Sequence, residues 1–261
     1  MAYVRHKDIV GKLYIPSEEK SNHIGIVWLP GLPNKPTVED MGQPLADLGF
    51  TVLQVRYPGS WQSYGNFGPS SSLEGALLGL ELLSDGKTLN LCSQTEVVWS
   101  IKHLVLIGNS YGGGIAVSAL GLSGLADAAI ALCPLLEPEF QNANTSLSED
   151  DLSILYPFLR KHHKNIFRNL SEDEWNDFIH GSHFSIPSNY LEDLKEKHLL
   201  LIHGTDDKSI RYDHTENFYN KLRAVGSRKV NLLIKDGVGH GKRLRLVTRN
   251  NWIEWITCLF N

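Results

Sequence analysis

The stretch Ile101–Gly114, IKHLVLIGNSYGGG, decides the fold. Its apolar run Leu104–Ile107 reads as a buried strand, and the small residues after Tyr111 suit a helix. Between them Gly108-Asn109-Ser110-Tyr111-Gly112 has the spacing G-x-S-x-G, with a strand before it and a helix after it. A serine held in so sharp a turn needs flanking residues without side chains, because the backbone passes close on either side. The turn lifts the Ser110 hydroxyl above the sheet edge and sets it at a helix N-terminus, where backbone N–H groups can face a developing negative charge. A Gly-rich turn without chemistry is the plainer reading, and the flanking strand and helix favour the chemical one. A dinucleotide fingerprint fails because its middle glycine would fall on Ser110. Gly86-Lys87-Thr88 has the look of a P-loop ending, but Glu81 stands where the first glycine belongs.

Outward from this stretch, strands and helices alternate. Residues 2–15 read as two short strands broken near Gly11, an antiparallel edge. Ile24–Leu29 is a continuous apolar run, suited to a strand buried on both faces, and it ends at Pro30-Gly31-Leu32-Pro33. Thr37 with Asp40 has capping-box spacing for a helix carrying Val38, Met41, Leu45 and Leu48, stopped at Gly49. Phe50–Val55 is the next strand and Ser70–Leu83 a helix. Residues 84–100 are a polar insertion that fits either a helix extension or a small hairpin around Thr88–Val98. Ile115, Ala119 and Leu122 continue the helix after Ser110, and Ala128–Leu132 is another buried strand. Farther on, His198–His203 and Lys229–Ile234 read as strands. Helices carry Phe218, Leu222 and Val225 up to Gly226, and Trp252, Ile253, Ile256, Leu259 and Phe260 at the end. This order predicts an α/β fold, a mostly parallel central sheet with helices on both faces.

From Glu137 to Lys197 the pattern changes. Asn, Ser and Asp crowd in, and helix starts appear at Ser148 and at Ser171, the latter as Ser-x-x-Glu with Glu174. Leu152, Leu155, Phe158, Trp175, Phe178 and Ile179 are its apolar residues. The predicted organisation is therefore a core of residues 1–136 and 198–261 with a helical cap or lid at 137–197.

Bulk properties narrow the function. At 261 residues the chain can bury a substantial core. A net charge of −4 argues against a general nucleic-acid binder. Cys92, Cys133 and Cys258 are odd in number and widely spaced, so neither a disulfide framework nor a zinc pattern is expected, and Cys133 reads as a buried small hydrophobe. The absence of a basic-then-apolar leader and of a long apolar run points to a cytoplasmic protein without membrane contact. His162-His163 and the pair His180/His183 lack the companions of a coordination set, so no metal or other cofactor is expected.

Chemistry in such a sheet gathers beyond the carboxyl ends of the strands. Ser110 is the candidate nucleophile and needs a base within hydrogen-bond reach. Among eleven histidines His240 is selected by position, after the last strand and between Gly239 and Gly241. The imidazole needs an acid to fix its tautomer. In Gly204-Thr205-Asp206-Asp207 the G-x-x-D spacing assigns that role to Asp207 and leaves Asp206 to the turn, with Glu137 a more distant substitute. The backbone N–H groups of Tyr111 and Leu32 are the candidate oxyanion hole, since Pro33 has none to give. Arg56, Lys208 and Arg211 follow strands on the same edge and suit either an anionic substrate or plain surface charge. Trp175, Phe178 and Ile179 could roof an acyl pocket or merely pack the insertion against the sheet.

The order Ser…Asp…His, the GNSYG turn, GTDD and the GVGHG ending resemble the α/β-hydrolase fold family over nearly the whole chain outside 137–197. RYPGSWQSYGNF (56–67) followed by SSLEGAL (71–77) is similar to the prolyl-oligopeptidase-like and dienelactone-hydrolase-like branches. The resemblance implies a cofactor-independent serine hydrolase that cleaves a carboxylic ester or related small acyl substrate through an acyl-enzyme. The chain lacks room for a propeller, which favours a small esterase, thioesterase or acyl-transferring enzyme over a peptidase. Pro30-Gly31 replaces the His-Gly common in the family. A serine peptidase or amidase, an acyltransferase, and a non-catalytic ligand-binding receptor on the same fold are the alternatives. Acyl specificity and oligomeric state are not legible.

Overall fold

The computed structural model describes residues 1–33, 41–141 and 149–260. The chain opens with an antiparallel pair, β1 (Ala2–His6) and β2 (Ile9–Tyr14), turned at Lys7-Asp8. The expected break at Gly11 is absent, since Gly11 lies inside β2 paired with Val55. A Cβ there would stand 2.8 Å from Leu53 Cδ1 and 3.0 Å from the carbonyl oxygen of Gln54. This glycine marks close strand approach, not a turn.

Next come β3 (Ile24–Leu29), α1 (Gly42–Ala46), β4 (Thr51–Arg56) and α2 (Pro69–Ser84). The cap proposed at Thr37 and Asp40, with Val38, falls outside the described residues, as does the helix start at Ser148. Residues 84–100 hold a hairpin, β5 (Lys87–Leu89) with β6 (Glu96–Val98), which decides between the two expectations for that stretch. Trp99 anchors it by donating its indole N–H to the Leu83 carbonyl at 2.8 Å. Then follow β7 (His103–Asn109), α3 (Tyr111–Leu122) and β8 (Ala128–Leu132). The segment after β8 contains α4 (Pro138–Gln141), α5 (Leu155–His162) and α6 (Glu172–Ile179). The chain closes with β9 (His198–Gly204), α7 (Tyr212–Ala224), β10 (Val230–Lys235), α8 (Lys242–Val247) and α9 (Arg249–Phe260).

Eight strands form one sheet in the order β1-β2-β4-β3-β7-β8-β9-β10, antiparallel at β1-β2-β4 and parallel beyond. Both faces are covered, which is why β3 is apolar at every position. Ile24, Ile26 and Trp28 share one layer with Trp252 and Ile256 of α9. Val27 and Leu29 join the other layer with α2, α3 and α7. Among the described residues no helix is long and apolar enough to cross a membrane.

Helix α6 is joined to the core at α2. Ser171 caps α6, its hydroxyl accepting from the Glu174 N–H at 3.3 Å. Glu174 Oε1 in turn accepts from the Ser70 N–H at 2.7 Å, so a carboxylate from the segment after β8 meets the exposed N–H groups of the first turn of α2. His183 adds a contact of 3.1 Å to the Ser70 hydroxyl.

Candidate active site

Strand β7 ends against α3 at Ser110, whose backbone sits at φ 57° and ψ −124°, a strained conformation for a residue with a side chain. Two glycines make the turn possible. A Cβ at Gly108 would lie 1.9 Å from the Gly112 carbonyl oxygen, and one at Gly112 would lie 2.4 Å from the carbonyl oxygens of both Leu29 and Pro30. The turn is fixed by the Ser110 N–H donating to Leu132 O at 2.8 Å and the Leu135 N–H donating to Ser110 O at 3.1 Å.

The turn after β3 is held over this corner. The Tyr57 hydroxyl donates to Pro30 O at 3.0 Å from a fully buried position. At Gly31 a Cβ would touch Asn109 O and Ser110 Cβ, each at 3.0 Å. Leu32, Pro33, Ser110, Tyr111 and His240 thus border one cavity of about 330 Å³. Its apolar wall is completed by Leu135, Leu152, Leu155, Phe158 and Ile210.

Asp207 and His240 reach the same edge from the loops after β9 and β10. His240 Nδ1 donates to Asp207 Oδ2 at 2.6 Å. The Asp207 side chain is wholly buried, and its Oδ1 accepts the N–H groups of Ser209 and Ile210 at 2.9 and 3.0 Å. Burial alone would raise its pKa, but hydrogen bonds from His203 and His240 outweigh that and hold the carboxyl well below the usual carboxylate range. His240 moves the other way. Burial opposes its charge, yet the Cys133 sulfur and the Asp207 carboxylate together push its pKa up to about 10. The adjacent Asp206 is exposed, and its backbone N–H donates to Val238 O at 3.0 Å. Glu137 is engaged elsewhere, accepting from Ser188 at 2.7 Å and pairing with Lys221.

The residues expected to touch substrate are placed differently. Arg56 is buried beneath β1, bonded to Gln62 and lying 5.3 Å over the Tyr3 ring, away from the cavity. Trp175 is fully buried, with its ring 5.9 Å from Tyr111 and 6.0 Å from Phe67, and Phe178 stands 5.7 Å from Tyr111. Both pack the segment after β8 against Phe67 or the start of α3, and neither borders the cavity at Ser110. Arg211 is paired with Asp213 and Glu149, and Lys208 is exposed. Among the expected histidines, His183 bonds Ser70 and Ser185. Cys133, Asp207 and His240 bring donor atoms within 4.8 Å of one another. Asp207 holds the Nδ1 edge of the ring while Cys133 lies at Nε2, so the three do not converge on one point.

Sequence reading missed two neighbours of the site. Cys133, immediately after β8 at φ 39°, has Sγ 4.0 Å from His240 Nε2 and 3.6 Å from Asn109 Oδ1. His203, near the end of β9, reaches the same Asp207 oxygen as His240, at 3.0 Å. A histidine closing the apolar run HLLLIH, four residues before the candidate acid, was the available signal.

The architecture is that of the α/β-hydrolase fold. The sequence profile of the prolyl oligopeptidase family matches residues 37–257. The chain belongs to the prolyl oligopeptidase family. No curated protein matches it by sequence. Among solved structures it is similar to an acylaminoacyl peptidase from Pyrococcus horikoshii, with TM-score 0.71 and 20% identity over 98% of this chain. It spans 40% of the length of that peptidase. Est1E from Butyrivibrio proteoclasticus matches with TM-score 0.64 and 15% identity, covering 98% of both chains. The Pyrococcus furiosus esterase Pf2001 matches with TM-score 0.64 and 19% identity, covering 98% of this chain and 88% of its own.

Proposed function

We propose that this chain hydrolyses a carboxylic ester or related small acyl compound through an acyl-enzyme formed on Ser110. The observation that carries the reading is the pairing of His240 with a buried, ionised Asp207 at the rim of the cavity that Ser110 enters. Asp207 fixes the imidazole with its proton on Nδ1 and leaves Nε2 to take the Ser110 proton as the hydroxyl attacks the acyl carbon. The hydrogen bond between Ser110 and Nε2 belongs to the substrate complex, where catalytic hydrogen bonds commonly form or tighten. The tetrahedral oxyanion is met by the backbone N–H groups of Tyr111 and Leu32. The imidazolium then protonates the leaving group, and water repeats the sequence to release the acid. Leu135, Leu152, Leu155 and Phe158 supply an apolar wall for the acyl chain. No cofactor is required by this chemistry.

An ester reading rests on the similarity to the two esterases. A peptidase reading rests on the family and on the similarity to the acylaminoacyl peptidase. The test is labelling by a fluorophosphonate together with turnover of p-nitrophenyl esters and amino-acyl p-nitroanilides. Labelling of the wild type and its loss in Ser110→Ala are expected, with ester turnover exceeding amide turnover. A folded wild-type protein that neither labels nor turns over any acyl compound would overturn the proposal and leave the ligand-binding receptor.

A further inference from the structure

Asp207 Oδ2 is shared between two imidazoles, His240 Nδ1 at 2.6 Å and His203 Nε2 at 3.0 Å. We infer that His203 is a positioning residue, a second histidine whose N–H holds the Asp207 carboxylate in the orientation His240 requires. The inference rests on the proposed roles of Ser110, Asp207 and His240.

His203 is fully buried, and both ring nitrogens are engaged. Nε2 lies 3.0 Å from Asp207 Oδ2 and 3.0 Å from the Ile210 carbonyl oxygen. These are both acceptors, so the ring proton sits on Nε2 and is shared between them. Nδ1 lies 2.7 Å from the Thr215 hydroxyl of α7. That hydroxyl can donate or accept, so it holds the ring in place whichever role Nδ1 takes. A ring with no N–H toward Asp207 would leave one carboxylate oxygen to a single partner.

The arrangement also ties the acid to several elements at once. The backbone N–H groups of Ser209 and Ile210 fix Oδ1, and His203 on β9 shares Oδ2 with His240. Asp207 therefore cannot swing when His240 moves toward Ser110. Loss of the His203 N–H has a second, electronic consequence. It leaves more negative charge on Oδ2, which stabilises the imidazolium at His240 and moves the acid limb of the rate profile to higher pH. The titratable groups facing His240 are Asp207 and Cys133, and a change at His203 acts on the first through their shared hydrogen bond and leaves the second in place.

The test compares His203→Leu, which removes the donor, with His203→Gln, whose side-chain amide can restore one toward Asp207. The readouts are fluorophosphonate labelling rate, kcat and KM for a p-nitrophenyl ester, and the pH profile of kcat/KM. For His203→Leu the expected result is a kcat lower by roughly tenfold to a hundredfold at near-constant KM, the range that outer partners of an orienting group carry. Its acid limb should lie at higher pH, and His203→Gln should recover most of both. Wild-type kcat and an unmoved limb in folded His203→Leu would overturn the inference. So would equal losses in the two variants without any shift, which is what a purely structural role gives. If His203→Leu does not fold, Thr215→Val decides: a limb moved from the wild-type position supports the inference and an unmoved one overturns it. Absence of labelling in the wild type is a separate outcome, which removes the catalytic reading and this inference with it.

Discussion

His240 Nε2 lies 4.0 Å from the sulfur of Cys133, so the nitrogen that the proposed mechanism assigns to the Ser110 proton has a cysteine beside it. The ring is buried, which by itself disfavours its charge, but Cys133 and Asp207 raise its pKa to about 10. A histidine accepts a proton only when neutral, so kcat/KM should fall as pH drops through that pKa, and the acid limb should lie well above the ordinary histidine value of about 6.5. Replacing Cys133 by Ala removes one of the raising influences. Its limb should therefore move to lower pH, and a profile of kcat/KM against pH shows this directly. An unshifted limb would mean that the sulfur does not act on the ring.

Gly112→Ala should damage both stability and catalysis. Its Cβ would meet two backbone oxygens, Leu29 O and Pro30 O, at 2.4 Å, and backbone cannot rotate away as a side chain can. Overpacking of this kind costs about 1–3 kcal/mol. Relief requires the turn carrying Leu32 to retreat from Ser110, so labelling should slow even in the folded fraction. Thermal unfolding and labelling kinetics measure the two effects separately.

Tyr57→Phe deletes only the hydroxyl that donates to Pro30 O at 3.0 Å. A buried carbonyl left without its donor costs about 1–3 kcal/mol, and here it belongs to the turn that presents the Leu32 N–H. The expected outcome is a lower Tm with a several-fold lower kcat and little change in KM, read by steady-state kinetics on one ester.

Trp175→Ala separates packing from substrate contact. The indole is fully buried among Phe67, Tyr111 and Phe178. Its loss should destabilise the protein by about 3–5 kcal/mol, measured by denaturant unfolding. KM for a short ester should stay near wild type in the folded fraction, because the ring does not border the cavity at Ser110. A KM raised severalfold without loss of stability would return Trp175 to the substrate pocket.

The parts legible in the sequence were those where backbone chemistry leaves a mark. The turn at Ser110 demands glycine at 108 and 112, and β3 must be apolar throughout because helices cover both its faces. Asp207 and His240 could be selected because each follows a strand at the edge where Ser110 emerges. Gly11 was misread because a glycine that admits a neighbouring strand looks, in one dimension, like a glycine that turns the chain. The apolar residues of the segment after β8 were visible, but periodicity does not say what they face. Leu155 and Phe158 border the cavity, whereas Trp175 and Phe178 face Tyr111 at the start of α3. Arg56 looked available because the register that buries it beneath Tyr3 is a matter of β1 and β2, far along the chain. His203 escaped notice because its role depends on Thr215 and Asp207, which only the fold brings to its two nitrogens.

The Glu174 carboxylate at the start of α2 bears on any attempt to trim the molecule. Replacing the stretch between β8 and β9 with a short linker would strip a core helix of an anion that sits against its opening amides, and would expose the aromatic bed under Tyr111 as well. The truncated chain would lose scaffold along with any roof. Access to the nucleophile is better varied one side chain at a time, at Leu155 or Phe158, than by removing the stretch as a block.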